Sequence, residues 1–302
     1  ASKAGFAGIE HAFFFSLMNK DAKARQQVYE VMKQNNTYFT PTLMADKYGH
    51  LTPLKKVNAI VYDTQNQVDA RRKYIDPEMI EFWQLNQEMW KTAPPSPWKK
   101  WLEKFHGYSL EMAQSGVKIL AGVDLPVPPI FPGWGLHEEL ELLVAKLGMQ
   151  PIEALRAATL NPAEFMGIAQ DYGQVTEGRI ADLVLLEANP LESISHTQKI
   201  AIVFKNGKAY DQTARKQLLQ QVAKAVKAKN KIYDPKVLNR YLKQQHKKQQ
   251  LLQQNFSKMV GEVIGQKVAP DQINNVIKAI GAGKHKFKEA PMLKLVQLGL
   301  NK

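Results

Sequence analysis

The chain has 302 residues, 44% of them hydrophobic and 23% charged, enough to bury a sizeable core in one large domain or two smaller ones. No uninterrupted apolar run approaches the roughly 20 residues that span a bilayer, and the absence of cysteine excludes disulfides, zinc-thiolate sites, iron–sulfur clusters and cysteine nucleophiles. The net charge of +13 is unevenly spread: residues 212–302 carry 19 Lys+Arg against 4 Asp+Glu, and residues 1–211 carry 22 against 24.

A near-neutral globular sequence therefore precedes a basic one. The first residues (ASKAG) hold neither an initiator methionine nor a signal-peptide pattern. A cysteine-free chain is compatible with a cytoplasmic or a periplasmic or secreted location, so the compartment stays open.

Residues 5–11 (GFAGIEH) predict a short strand ending on two ionisable side chains. A helix follows over 21–34, with Ala24, Val28, Val31 and Met32 on one face. Residues 37–43 (TYFTPTL) are β-branched and aromatic and predict a second strand that Pro41 ends. An insertion spans about 44–115, and its last helix is the best marked. Ser96 is placed to cap it, Pro97 suits its first turn, and Trp98, Trp101, Leu102, Phe105 and Met112 form a stripe. At that spacing the tryptophans read as core rather than as a ligand-stacking box.

A third strand is predicted over 117–122 (VKILAG), running directly into Val123-Asp124 and a Pro/Gly-rich loop. An amphipathic helix follows, with Leu136, Leu140, Leu143, Val144 and Leu147 in register and Gly148 as its stop. Pro151 opens another helix, and Asn161-Pro162-Ala163-Glu164 reads as cap, first-turn proline and capping-box carboxylate. Strand alternating with helix is the grammar of a parallel α/β domain. Beyond Gly173 the pattern changes to short strands over 181–186 and 200–204, with Asn206-Gly207 as a tight turn into 208–210.

The predicted organisation is an α/β part over 1–170, a small β portion over 171–211 and a basic helical extension over 212–302. The extension has one apolar stripe from Leu218 to Val226 and a second that starts at Val237–Leu242 and continues at Leu251–Val260, with residues 243–250 (KQQHKKQQ), which hold no apolar side chain, between its two parts.

Chemistry in parallel α/β folds sits at the C-terminal ends of strands. Two predicted strands end in candidate metal ligands, His11 and Asp124. Imidazole and carboxylate are what a divalent metal takes when thiolates are absent. On spacing alone the plainer reading stands first: a strand-end histidine bonded to backbone, and an aspartate capping a loop. His137 opens the helix after Asp124 and is a candidate substrate contact or, equally, a solvent-facing histidine. His50 and His106 lie in the insertion and read as structural. Gly133-Trp134-Gly135 is not a phosphate loop, since no strand leads into it and no Lys-Ser/Thr follows.

The segments GIEHA (8–12), GLHEELELLV (135–144), EALRAATLNPAEFMG (153–167), EGRIADLVLL (177–186) and IAIVFKNGKAYD (200–211) together resemble the C-terminal half of the amidohydrolase superfamily. The nearest branch is the imidazolonepropionase-like and prolidase-like enzymes. The resemblance implies strands six to eight of a TIM-like (β/α)₈ barrel, with a small β-sandwich portion after them. It implies His11 as the metal-ligand histidine ending the sixth strand. Asp124, ending the eighth, would be both metal ligand and general base. The family usually reads Gly-Thr-Asp there, where this chain has Gly122-Val123-Asp124.

The implied cofactor is a divalent metal, zinc by its ligands, as one or two ions in the complete enzyme. The implied reaction is hydrolysis of a C–N bond in an amide, cyclic amide or dipeptide. The family also places a His-X-His pair on its first strand, and none of the seven histidines here is followed two residues later by another. The expectation is a C-terminal portion that needs the missing N-terminal half of the barrel, is inactive alone, and is compatible with a homo-oligomer. The alternative is a non-enzymatic protein whose basic tail binds nucleic acid or an anionic surface. Only Tyr233, Tyr241, Phe256 and Phe287 interrupt that tail as aromatics, so nucleic acid is the less favoured partner.

Overall fold

Three stretches of backbone run side by side in one direction and carry the rest of the molecule. In the computed structural model, which describes residues 1–11, 21–91 and 98–232, strand β1 (Gly8–Glu10) pairs in parallel with β2 (Tyr38–Thr40). Residues 117–122 lie on the other side of β2. Phe39 N–H donates to the Lys118 carbonyl and Leu120 N–H to the Phe39 carbonyl, both at 2.9 Å, with a parallel bridge at Ile119. The third predicted strand is thus extended and paired but shortened to a single bridge. The chain leaves the ladder at Ala121, whose N–H turns to the Ala157 carbonyl.

Helix α1 (Ala22–Gln34) joins β1 to β2, and Asp21 caps it by accepting from Lys23 N–H. Its buried face shares Met32 with the expected one but is otherwise turned away from it. Tyr29 and Met32 are sealed in the core, whereas Val28 is 44% exposed. The helix is rotated because Arg25 and Tyr29 both reach Glu111. The guanidinium donates two bonds of 2.8 Å to the carboxylate and the phenol donates a third of 3.0 Å.

The insertion supplies α2 (Leu43–Asp46), a wide turn over Lys47–Leu51, α3 (Leu54–Val61), α4 (Pro77–Lys91) and α5 (Trp98–Gln114). Leu102, Phe105 and Met112 of α5 enter the main core with Phe39. The side chains of Trp98 and Trp101 and the capping residues Ser96 and Pro97 lie outside the described residues. Val57, Val61, Trp83 and Phe131 form a second core, in which the Trp83 and Phe131 rings meet edge to face at 5.6 Å.

Beyond Asp124 come α6 (Trp134–Leu147), α7 (Pro151–Ala158) and α8 (Leu160–Phe165). Gly148 adopts φ 62° and ends α6 as expected. The expected cap at Asn161 does not form. Helix α8 begins at Leu160, with Thr159 as its cap residue. Tertiary partners take both side chains: Asn161 Nδ2 donates to the Ile119 carbonyl at 2.8 Å, and Glu164 accepts from Lys118 and from the Tyr38 hydroxyl. The capping carboxylate is at the preceding helix, where Glu153 accepts from Gln150 N–H at 2.8 Å.

The small β portion is one antiparallel sheet of β3 (Leu183–Leu186), β4 (Ile200–Lys205) and β5 (Lys208–Tyr210). Asn206 and Gly207 take φ of 50° and 73°, the positive pair that a two-residue hairpin turn requires. Helix α9 (Gln212–Ile232) follows directly, and Lys229 pairs with Asp76 at 2.8 Å and Glu78 at 3.0 Å. All described residues belong to one compact unit, Ala1–Tyr233. The start of the basic segment is therefore part of that unit, and the expected separation at Gln212 falls 21 residues earlier than the unit's end. The second apolar stripe and residues 243–250 lie outside the described residues. Among the described residues no helix is long and apolar enough to cross a membrane.

Replacing Glu111 by Gln removes the charge from three hydrogen bonds that tie α1 to α5. The expected loss is about 1.5–3 kcal/mol, read as a lower urea midpoint at unchanged slope. An unchanged midpoint would show that packing alone sets the rotation of α1.

Candidate active site

His11 follows β1, and its N–H donates to the Thr40 carbonyl at 2.9 Å, which extends the ladder by one step. Its side chain emerges at the C-terminal end of the sheet, where the paired segment 117–122 also releases Asp124. His11 Nε2 lies 3.9 Å from Asp124 Oδ2, with side chains 24% and 41% exposed. That distance is too long for a hydrogen bond. It is close to the separation, roughly 3–4 Å, of two atoms that share a metal at bonds of about 2.0–2.2 Å.

The imidazole has a second contact, to the Thr42 hydroxyl. His11 Nδ1 is 2.8 Å from Thr42 Oγ1. The Thr42 hydroxyl donates to the Pro41 carbonyl at 2.8 Å, an arrangement in which its oxygen can accept from a ring protonated at Nδ1. In that tautomer the lone pair is on Nε2, the atom 3.9 Å from Asp124 Oδ2. A ring oriented through one nitrogen while the other serves a metal is the usual arrangement at metal-binding histidines.

Backbone strain marks the same place. Six described non-glycine residues have positive φ; three are asparagines, which tolerate it, and the other three are His11 (67°), Thr42 (51°) and Asp124 (57°). Strained backbone clusters where a site over-determines its geometry. Close approach adds to this: a Cβ on Gly122 would stand 2.5 Å from Thr40 Cγ2. Only glycine lets residues 122–124 lie so near β2.

Glu139 of α6 anchors the chain behind Thr42. Its residue is fully buried, and its two oxygens accept from Leu43 N–H at 3.0 Å and Met44 N–H at 2.7 Å. Burial pushes the carboxyl up to about 8, against the pull of the two amides, and neighbouring Asp46 adds to the rise. Asp46 itself faces His106 Nε2 at 3.1 Å, so His106 serves the insertion's packing. Burial also lowers the His50 pKa.

His137 is elsewhere. Its Nδ1 is 3.0 Å from Thr197 Oγ1, whose proton goes to the Ile194 carbonyl, and burial lowers its pKa. It lines an open cavity of about 460 Å³ with Trp134, Gln198, Arg215 and Leu218, which includes neither His11 nor Asp124. The structure brings His11 and Asp124 together and leaves His137 at this other cavity. Among the described residues no three His, Asp or Glu side chains converge as a metal site. The donor types and spacing of His11 and Asp124 fit two positions around one ion.

Thr42 and Glu139 carry no mark of their roles in the sequence, and Gly122 stands out there only as the start of Gly122-Val123-Asp124. Thr42 and Gly122 lie at predicted strand ends, and Pro41 is the usable signal beside Thr42. Glu139 looked like any polar position of an amphipathic helix.

Two measurements follow from this geometry. Gly122→Ala forces a methyl into Thr40, which is 7% exposed. It should cost about 1–3 kcal/mol, read by urea unfolding, and wild-type stability would show that the two segments part easily. For Glu139 the folded pKa is raised from 4.5 to about 8. Folded chain therefore holds a proton that unfolded chain has lost in this window. Its contribution is fully present below the unfolded value and declines as pH rises to about 8, by up to about 1.4 kcal/mol per pH unit. The stability difference between wild type and Glu139→Gln should carry that slope, and a flat difference would contradict it.

Comparison with known proteins gives the family. The profile of the Amidohydrolase family matches residues 1–210. The ochratoxinase of Aspergillus niger is 39% identical over 101 residues, 32% of this chain and 20% of that protein. The imidazolonepropionase of Thermoplasma volcanium is 32% identical over 103 residues, 33% of this chain and 25% of that protein. The chain thus aligns with a fifth to a quarter of the length of these curated relatives. Among solved structures, the bottromycin amidohydrolase AH matches 74% of this chain and 50% of its own with a TM-score of 0.53 at 17% identity, a likeness of fold. The α/β content is that of the TIM-like barrel implied by such neighbours. With the family profile spanning 1–210 of its 302 residues, the chain belongs to the amidohydrolase family.

Proposed function

We propose that the chain supplies strands six to eight of the barrel of a metal-dependent amidohydrolase, with β1, β2 and 117–122 as those strands. The enzyme would hydrolyse C–N bonds in a small amide, cyclic amide or dipeptide. The observation that carries this reading is the approach of His11 Nε2 to Asp124 Oδ2 at 3.9 Å, at the C-terminal ends of two segments that flank β2. Family membership and the ochratoxinase and imidazolonepropionase likenesses support the reaction class.

In this reading His11 and Asp124 would hold a divalent ion, zinc by the nature of the donors. When bound, such an ion would supply the Lewis acidity that activates water and polarises a carbonyl. The Asp124 carboxylate accepts the proton of the attacking water and returns it to the departing nitrogen. Its exposure leaves it reachable by substrate, and the turn that Val127 N–H closes onto the Asp124 carbonyl at 3.1 Å holds its backbone. Thr42 meets Nδ1 of the His11 ring at 2.8 Å, with Nε2 on the side of Asp124.

A hydrolytic zinc takes three protein ligands and a water. Two are present here, and the rest belong in our reading to a complementing barrel half with a His-X-His strand. The chain alone is then inactive, and zinc binds it weakly.

The test is to supply such a half, fused or in trans, and to assay amide, cyclic amide and prolyl dipeptide substrates with the zinc content measured. Hydrolysis should appear with the complemented protein only. Asp124→Asn should reduce it at least 10³-fold with the urea midpoint within about 0.5 kcal/mol of the parent. Hydrolysis by this chain alone, or an active Asp124→Asn variant, would overturn the proposal.

A further inference from the structure

We propose that Thr42 is the positioning residue that sets the tautomer and direction of His11, and that the buried Glu139 carboxyl group holds Thr42 in place through the backbone of Leu43 and Met44. The inference rests on the reading of His11 as a metal ligand only for its consequence, and its first measurement needs no metal.

The contacts form one chain. Glu139 Oε1 and Oε2 accept from Leu43 N–H and Met44 N–H at 3.0 and 2.7 Å. These are the first donors of α2, a helix of four residues. Helix-start amides have no partner within the helix, and this helix is buried throughout, so water cannot serve them. Immediately before them Thr42 sits at φ 51° and ψ 49°, a conformation a β-branched residue rarely adopts. From there its hydroxyl bridges the Pro41 carbonyl and His11 Nδ1, both at 2.8 Å.

The choice of residue points beyond packing. The groups that face Glu139 are the two amides and, from α2, the carboxylate of Asp46, which repels it and is itself paired with His106 of α5. An acid buried beside another acid is a costly way to cap four residues. What it secures is direction: two bonds in the plane of one carboxylate fix the orientation of the 42–44 backbone, and with it the hydroxyl that orients His11.

The experiment uses the full chain with ¹⁵N-labelled histidine at pH 8, where the neutral imidazole tautomers are resolved by long-range ¹H–¹⁵N spectra; His11→Gln assigns the signal. In wild type His11 should be the Nδ1–H form. Thr42→Val and Glu139→Gln should each convert at least a third of it to the Nε2–H form, and the double variant should do no more than the stronger single one. Thr42→Ser should restore the wild-type pattern. His137 and His196, whose Nδ1 atoms face Thr197 Oγ1 and the Asn189 carbonyl, should not move and so report that the fold is intact.

If Glu139→Gln fails to fold, Glu139→Asp, which withdraws the carboxylate from the amides, takes its place with the same expectation. A folded Glu139 variant whose His11 stays Nδ1–H overturns the proposal, as does a Thr42→Val that leaves it unchanged. Zinc titration of the same samples, read from the His11 signal, separates the two readings. Affinity should fall about tenfold or more with the tautomer. A shifted tautomer with unaltered zinc affinity keeps the positioning role and removes His11 from the ligand set.

Discussion

Phe39 joins the three segments on which the site is built. Its N–H and carbonyl bind Lys118 and Leu120 on one side, while the flanking residues of β2 take Ala7 and His11 on the other. Its ring, wholly buried, fixes the same strand against α1 and α5. Backbone pairing is directional and sets register in steps of one residue. The placement of His11 against Asp124, 113 positions apart in the chain, therefore follows from where Phe39 sits. A slip of one step on either side would turn one of the two side chains to the opposite face.

Pairing alone does not make a site, because the chain must leave each strand in a definite direction. Here the exits are strained. His11, Thr42 and Asp124 all have left-handed backbone, and each is held by a bond to something rigid: the Thr40 carbonyl for His11, the Pro41 carbonyl for the Thr42 hydroxyl, and the Val127 amide for the Asp124 carbonyl. Gly122 allows the third segment to approach β2 closely enough for the exits to meet. The strain is local and its compensation lies in the layer behind, in α2 and α6, where Glu139 satisfies two buried amides at the expense of its own solvation.

The outer layers show how tertiary partners override local rules. Asn161 and Glu164 have the spacing of a helix cap, but a carbonyl of residue 119 and the ammonium of Lys118 compete for them and win. The apolar stripe of α1 named Val28, yet the helix turns Tyr29 and Arg25 inward because Glu111 offers three charge-assisted bonds there. Where no such competitor exists the local signal holds, as at Gly148, Asn206-Gly207 and Pro151. These positions depend on backbone conformation alone, which the residue type restricts by itself.

By itself the sequence determined the alternation of strand and helix through 1–170, the short antiparallel strands after it, and the family to which five ordered segments belong. Apolar period and turn chemistry are properties of short windows, and they survive in any tertiary context that can bury them. It also named His11 and Asp124, since both end recognisable strands. Only the tertiary structure decided that these two meet while His137 faces another cavity, and that Thr42, Gly122 and Glu139 belong to the same site. Their roles arise from contacts across 30 to 100 positions of chain. A threonine after a proline, a glycine before a valine and a glutamate on a helix carry no mark of such partners until the fold has placed them.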